Sequence, residues 1–291
     1  MGSEMCIRDS SRTPKHSSRS RPPAHISIMT PVNPTTTAPP LFLEEVLHVY
    51  LRCLDAAADA APRASAAYAR AYRANSVPFK VWQVWSTEDL KTDPPKKLER
   101  FSFLPPGLNE ALARQNMCDW FCMVLEEEVD KKVGELFRGR AEWLRCWPRV
   151  NFMTSWRSLR HKPVAVLMHS VLRVTTEDGQ RVVMDGTLNQ FRWAQSTWLQ
   201  TWTQWCAKRL DTTKGDNGWH FVSSEAKQKV CEYSVDVAEG YWATIFWMLR
   251  ELFQELDWME LRRREKDERI EYVDELARAK FADLLVKAFD V

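Results

Sequence analysis

The sequence predicts a helix-rich α+β protein, and three features of the chain support this prediction. Segments on both sides of the middle of the chain place apolar residues at the intervals of an α-helix. Residues 164–185 instead show the β-branched density and the glycine-containing break of a β-hairpin. Apolar residues make up 45% of the 291 residues, which suffices for a sizeable core. We therefore expect helices packed with an antiparallel sheet in one domain over residues 41–291.

The first 40 residues differ in composition from the rest of the chain. They are rich in Ser, Thr, Pro and Arg and carry few large apolar side chains, so burial cannot offset the entropy lost on ordering. We expect this leader to be disordered. Within it, residues 2–10 resemble a translated sequencing-adapter fragment. We therefore expect the natural start at Met29 or another downstream residue, and we exclude Cys6 from any chemistry.

Charge and hydropathy narrow the possible functions. The leader holds five of the 41 basic and two of the 39 acidic residues, which leaves a nearly neutral chain with no nucleic-acid footprint. The sequence shows neither a signal-peptide pattern nor an apolar run of about 18 residues, so we expect a cytoplasmic protein that does not bind membranes. Seven cysteines without a disulfide-scaffold spacing predict reduced thiols.

The region before residue 107 is expected to contain two helices and one strand. Residues 41–74 show helical spacing with an interruption at Pro62, which predicts two helices. Residues 77–86 alternate aromatic and β-branched side chains, a pattern typical of a strand. The proline- and lysine-bearing residues 91–106 indicate a connection.

A second helical stretch begins at Leu108 and includes a helix whose first turn lies near Cys118. Asn116 is the residue type expected at its N-cap. Residues 143–160 are too mixed for an assignment. After the hairpin, residues 191–210 carry tryptophans at helical spacing and predict another helix.

The C-terminal part is predicted to be mainly helical. Residues 211–218 have the composition of a loop, whereas residues 223–291 contain no proline and are dominated by helix formers. Two long helices with a break at Gly240 account for this pattern. The 14 tryptophans of the chain are expected mainly in the core, because indole buries a large apolar area.

The register of the hairpin decides whether two of its polar residues meet. A two-residue turn would pair Leu172 with Asp185 and place His169 on the opposite sheet face. A three-residue loop at residues 177–179, with its glycine in the left-handed conformation, pairs Val171 with Asp185 instead. His169 and Asp185 then share a face, about 7–8 Å apart between backbones, and a hydrogen bond can join them. Such an aspartate fixes the imidazole tautomer and stabilises the imidazolium.

A thiol at a helix N-terminus would complete a catalytic set with this pair. The free N–H groups and the dipole of a helix start favour a thiolate, and Cys118 lies where such a start is predicted. His169 would take the thiol proton and later return it to the leaving group. The backbone N–H of Cys118, with the side-chain amide of Gln115 or Asn116, would form an oxyanion hole.

Other roles for these side chains remain open. The hairpin is also compatible with a surface element whose polar residues face water. Cys122, one helical turn after Cys118, is an alternative nucleophile, although burial within the helix favours an inert core thiol. Cys118, Cys122 and His169 could bind zinc, but a structural zinc site needs a fourth ligand and the sequence offers none. We therefore expect neither a metal nor another cofactor.

The order of these elements resembles the transglutaminase-like branch of the papain-like cysteine enzymes. In that family the nucleophile begins a helix and aromatic residues follow it, as in residues 118–121, and the strand pair ends in an Asp-x-Thr element, as in residues 185–187. The resemblance covers about residues 108–193. It implies a papain-like core with Cys118 as nucleophile, His169 as base and acid, and Asp185 as the residue that orients the imidazole.

Three further residues bear on the resemblance. Met117 stands where the family has a small residue before the nucleophile, and Gly186 stands where it often has a proline after the aspartate. Gln190, shortly after the Asp-x-Thr element, is a candidate supporting residue without a defined role.

Two functions are compatible with these observations. In the first, the triad forms an acyl-thioester on Cys118 and performs acyl transfer or amide hydrolysis on a protein, a peptide or a small amide. In the second, the chain is a catalytically inactive papain-like scaffold that acts as an interaction module, with the helices of residues 223–291 as the candidate region for a partner protein.

Overall fold

The computed structural model describes residues 40–61, 66–95, 104, 106–160, 164–214, 217–232 and 241–289, all within the unit formed by residues 38–291. A separate unit, residues 1–37, lies outside the described residues, and so do the predictions of a disordered leader and an adapter-like segment. Helices and largely antiparallel strands make up the described part, so the predicted α+β class is confirmed. Among the described helices, none combines the length and the apolar character needed to span a membrane.

The helices account for most of the regular structure in the described residues. They are α1 (Leu43–Ala60), α2 (Thr87–Thr92), α3 (Leu108–Ala113), α4 (Cys118–Phe137), α5 (Trp202–Arg209), α6 (Ser224–Cys231), α7 (Tyr241–Glu255), α8 (Trp258–Arg263) and α9 (Lys266–Phe289). Short 3-10 turns occupy Arg157–Leu159, Leu188–Phe191 and Gln195–Thr197.

The strands of the described residues form two sheets. They are β1 (Tyr68–Arg73), β2 (Lys80–Trp85), β3 (Arg140–Cys146), β4 (Met153–Trp156), β5 (His169–Thr175), β6 (Arg181–Met184), β7 (Leu199–Thr201) and β8 (Trp219–Phe221). The smaller sheet has the order β1-β2-β4, with β4 parallel to β2. The larger sheet has the order β7-β6-β5-β3-β8, and all its neighbours are antiparallel.

The main core lies between the larger sheet and the helices α1, α4, α7 and α9. Leu172 and Val174 of β5 belong to it together with Phe121 of α4. Val171, which alternates with them along the strand, belongs to a second cluster with Trp205 of α5. The larger sheet is therefore covered on both faces, and this fixes the strand that begins with the candidate histidine.

Two helices were predicted in residues 41–74. The prediction of the first is confirmed by α1, but the prediction of the second is wrong. Residues 68–73 form β1, and Tyr68 lies opposite Trp85 of β2. The two rings also pack edge to face, with centroids 5.1 Å apart. Pairing with another strand therefore outweighs the helix propensity of the alanines, which is worth less than 1 kcal/mol per residue. Pro62 lies outside the described residues.

The helix predicted over residues 191–210 is shorter than expected. Only residues 202–209 form an α-helix, and residues 195–197 form a 3-10 turn. Strand β7 pairs with β6 and leaves Thr201 to cap α5 through its hydroxyl, 3.3 Å from the N–H of Gln204. Residues 199–201 therefore form a strand instead of a helix because they pair with the free edge of β6. The unassigned residues 143–160 contain β4 and the end of β3.

The C-terminal part contains four described helices instead of the two predicted. The break between α7 and α8 occurs at Asp257, whose carboxylate accepts the N–H groups of Met259 and Glu260 at 2.9 and 3.0 Å. Gly240, the predicted break, lies outside the described residues. Buried residues of α7 and α9 belong to the main core, so these helices complete the fold.

Candidate active site

The hairpin formed by β5 and β6 has the register of the three-residue loop. Leu172 lies opposite Met184, so the two-residue turn is excluded. The N–H of Thr176 donates to the carbonyl of Gln180 at 3.0 Å, and Gly179 has a φ of +84°, which is the left-handed conformation that glycine adopts at little cost. The prediction of this loop is confirmed.

This register brings His169 and Asp185 into contact. His169 Nε2 lies 2.8 Å from Asp185 Oδ2, and both side chains are almost completely buried. The second carboxylate oxygen, Oδ1, accepts the backbone N–H of Thr187 at 3.0 Å. Asp185 is therefore held from two sides, and its contact with the imidazole is the one that the hairpin register predicted.

The surroundings of the imidazole favour its charged form. Burial lowers the pKa of His169, but the charge of Asp185, its hydrogen bond and the neighbouring Cys118 thiol together raise the pKa to about 10. Phe191 and Trp193 pack edge-on against the ring, with centroids 5.0 and 5.9 Å away, and shield it from water. Asp185 and Cys118 thus offset the cost of burying a charge on this imidazole.

Gln190 lies against the other nitrogen of the imidazole. Its Nε2 is 3.2 Å from His169 Nδ1 and 3.2 Å from Thr187 Oγ1. The amide can donate to Nδ1 only while that nitrogen carries no hydrogen. In the imidazolium both nitrogens donate, so a half-turn of the amide that presents Oε1 to Nδ1 must accompany protonation.

Cys118 is the first residue of α4, as predicted, but the predicted cap is wrong. The N-cap residue is Met117, whose side chain makes no capping hydrogen bond. Asn116 instead has a φ of +61° and leads the chain into the helix through a left-handed conformation. Without a capping side chain, the first N–H groups of α4 can stabilise negative charge on the sulfur.

Cys118 and His169 line the same cleft, which has a volume of about 370 Å³. Its other walls are the turn before α4, strand β4, residues 164–168 and the 3-10 turn that carries Gln190. Gln115 and Asn116, the two candidate oxyanion donors, both line it. Five of the six predicted site residues therefore line one cleft, and the sixth, Asp185, is buried behind it in contact with His169.

The two candidate oxyanion donors differ in how firmly hydrogen bonds hold their side chains. The amide of Gln115 is tied to β4, since Oε1 accepts the indole N–H of Trp156 at 3.1 Å and Nε2 donates to the Thr154 carbonyl at 3.4 Å. One N–H of Gln115 remains for a ligand. Asn116 is exposed, so its orientation is fixed less firmly than that of Gln115.

A polar network that the sequence analysis missed connects the start of α4 to the sheet. The carboxylate of Asp119 accepts two hydrogen bonds from Arg145, at 3.2 and 2.6 Å, and another from the hydroxyl of Ser170. Ser170 in turn accepts the indole N–H of Trp143 at 2.8 Å. In the sequence, Asp119 directly follows Cys118 and Ser170 directly follows His169. This adjacency is the signal from which the network could have been predicted. The network holds the chain at Cys118 and at His169 in a fixed relation.

The alternative roles of the cysteines find no support among the described residues. Cys122 is fully buried, and burial raises its pKa well above that of an ordinary thiol, which favours the role of an inert core residue. No group of three His, Cys, Asp or Glu side chains in the described part is placed to hold a metal ion. Cys146 is also buried and donates its S–H to the His169 carbonyl at 3.2 Å.

The two departures from the family pattern do not obstruct the cleft. Met117 packs into the main core and does not line the cleft. A β-carbon at Gly186 would overlap the ring of Phe121, so the proline that the family often has at this position would not fit here.

Comparisons of the chain with protein-family models, with curated proteins and with solved structures gave no match.

Proposed function

We propose that this protein forms an acyl-thioester on Cys118 and performs acyl transfer or amide hydrolysis. The observation that carries the proposal is the buried hydrogen bond of 2.8 Å between His169 and Asp185, in a cleft shared with the thiol at the start of α4. A thiol and an imidazole that share a cleft, with a buried carboxylate against the imidazole and the imidazole pKa strongly raised, are the arrangement expected of a functional site. The helix, strand and hairpin order supports a papain-like core of the transglutaminase-like type.

The proposed reaction uses His169 Nδ1, because Nε2 is occupied by Asp185. The Cys118 sulfur, deprotonated by the imidazole, attacks the carbonyl carbon of an amide and forms a C–S bond. The oxyanion accepts hydrogen bonds from the N–H of Cys118 and from Gln115. The imidazolium gives its Nδ1 proton to the leaving nitrogen, the C–N bond breaks, and the products are a thioester and a free amine.

The second half of the reaction reverses these roles. Water or an amine attacks the thioester carbonyl and gives a proton to the imidazole, the C–S bond breaks, and the thiol is restored. Water as acceptor gives net hydrolysis, whereas an amine gives net acyl transfer.

The experiment that tests the proposal compares two thiols of the same chain. Cys231 is exposed and serves as the internal reference, whereas Cys118 is only 9% exposed. With iodoacetamide at pH 7, we expect Cys118 to react about tenfold faster than Cys231 despite its burial, because only the thiolate is nucleophilic. Peptide mapping by mass spectrometry gives both rates.

The His169→Ala variant provides the control. It should remove the advantage of Cys118 and leave the rate of Cys231 unchanged. Equal rates for the two cysteines in the unaltered chain, together with no effect of His169→Ala, would overturn the proposal and favour the inactive scaffold.

A further inference from the structure

The cleft beside Cys118 has a mixed lining in which apolar side chains outnumber polar ones. Its uncharged polar side chains come from the turns next to the thiol and the imidazole, namely Gln115, Asn116 and Gln190, and from β4, namely Thr154 and Ser155. The apolar side chains come from β4, from the turn after it, from residues 164–168 and from Phe191 beside Gln190. They include Met153, Trp156, Leu159, Val166, Leu167 and Met168. An apolar site with a few polar groups is the usual composition of a ligand cleft.

The described lining offers no free charge to a ligand. Apart from Cys118 and His169, its one ionisable side chain is Asp119. Both oxygens of that carboxylate are already occupied, by Arg145 and by Ser170. A charged substituent entering the cleft would therefore lose water without gaining a counter-ion, which is costly.

Two apolar residues of this lining are unusually exposed. Leu167 is 68% exposed and Leu159 is 39% exposed, and both belong to the small set of large apolar side chains that face water in the described part. Apolar surface that is exposed at the wall of a cleft, next to polar groups, indicates a binding surface.

The backbone of residues 165–168 is also available. These residues form an irregular segment that directly precedes β5, and none of their N–H or C=O groups bonds to another described residue. An extended peptide laid along this segment could pair with it as an added strand does.

From these observations we propose that the cleft selects a bulky, uncharged, apolar acyl group. The inference rests on the proposed function, because it takes Cys118 as the residue that receives the acyl group. The acyl group belongs either to a peptide that also pairs with residues 165–168 or to a small amide without a peptide backbone. Both sources share the apolar group that contacts Leu159 and Leu167.

The test uses chloromethyl ketones, whose carbon forms a bond with the Cys118 sulfur while chloride leaves. Four probes share this group: the ketones of N-acetyl-leucine, N-acetyl-glutamate and N-acetyl-lysine, and a hexyl ketone without a peptide group. We expect the leucine probe to label Cys118 about tenfold faster than the glutamate and lysine probes, after each rate is divided by that of Cys231. Equal rates for the three amino-acid probes would overturn the inference.

The hexyl probe distinguishes the two sources. Labelling as fast as that by the leucine probe supports a small apolar amide, whereas labelling only by the leucine probe supports a peptide. A hexyl probe that is faster than the two charged probes supports the apolar selectivity in either case.

A matched pair of variants locates the selectivity. Leu167→Asp should reduce labelling by the leucine probe about tenfold relative to the lysine probe. Met259→Asp, at a residue that is 57% exposed and lies outside the cleft, should change neither rate. Both sites are exposed, so neither variant should impair folding. An unchanged preference in Leu167→Asp would overturn the inference.

Iodoacetamide separates a failure of this inference from a failure of the proposed function. Fast iodoacetamide labelling of Cys118 without preference among the ketones leaves the proposed function intact and overturns the apolar selectivity. Slow labelling of Cys118 by iodoacetamide overturns the proposed function, and the acyl-group inference with it.

Discussion

The first and second turns of α4 each carry a cysteine, and the two thiols have opposite surroundings. Cys118, in the first turn, lines the cleft beside the imidazole of His169. Cys122, in the second turn, is fully buried in the main core, and burial raises its pKa. Four residues along one helix therefore separate a candidate nucleophile from a packing residue. Position relative to the helix start and to the sheet decides the role of the thiol.

The largest expected effect comes from exchanging each cysteine for alanine. Cys118→Ala should reduce the release of nitrophenolate from p-nitrophenyl acetate by at least about a thousandfold, because the nucleophile is lost. Cys122→Ala should leave this rate within about twofold and reduce the free energy of unfolding by about 1 kcal/mol, because it leaves a small cavity. Loss of the reaction in Cys122→Ala alone would reverse the assignment.

The next effect concerns the carboxylate that orients His169. In Asp185→Asn the amide would accept the Thr187 N–H at one end and donate to His169 Nε2 at the other, which forces the proton onto Nδ1. We expect acylation by the same ester to slow by about a hundredfold or more, as tautomer reversal does in other triads. An unchanged rate would show that Asp185 does not orient the imidazole.

The same variant should change the response to pH. The pKa of His169 is raised to about 10, so its charged form stabilises the folded state fully below about pH 6.5, and this contribution is lost as the pH rises through about 10. Asp185→Asn removes the main cause of the raised pKa. We expect the decline of unfolding free energy between pH 7 and 10 to become smaller, measured by urea denaturation at several pH values. An equally steep decline in the variant would contradict this cause.

The smallest effect is expected at Gln190. Gln190→Leu removes a neutral hydrogen bond of about 1 kcal/mol from His169 Nδ1, so acylation should slow about fivefold. Gln195→Leu, at an exposed residue of the same loop, is the matched control and should have no effect. A loss as large as that in Asp185→Asn would make Gln190 a second orienting residue.

The hairpin could be predicted because its signals are local. Gly179 fixes the loop, the loop fixes the register, and the register places His169 and Asp185 on one face. The start of α4 near Cys118 could also be predicted from a local signal, because the apolar spacing of the helix marks where it begins.

The strands β1 and β7 could not be predicted because their partners decide them. Tyr68 becomes a strand residue through Trp85 of β2, and Thr201 through the free edge of β6 beside Val182. The Asp119–Arg145–Ser170 network escaped prediction for the same reason: its members are far apart in the sequence, and only the packing of α4 on the sheet brings them together.

Gly186 has a consequence for how this chain can vary. A β-carbon at this position would overlap the ring of Phe121, so we expect a larger residue at position 186 to require a smaller one at position 121. The turn after Asp185 and helix α4, which carries Cys118, therefore restrict each other sterically. Substitutions at these two positions are expected to be tolerated only in compensating pairs.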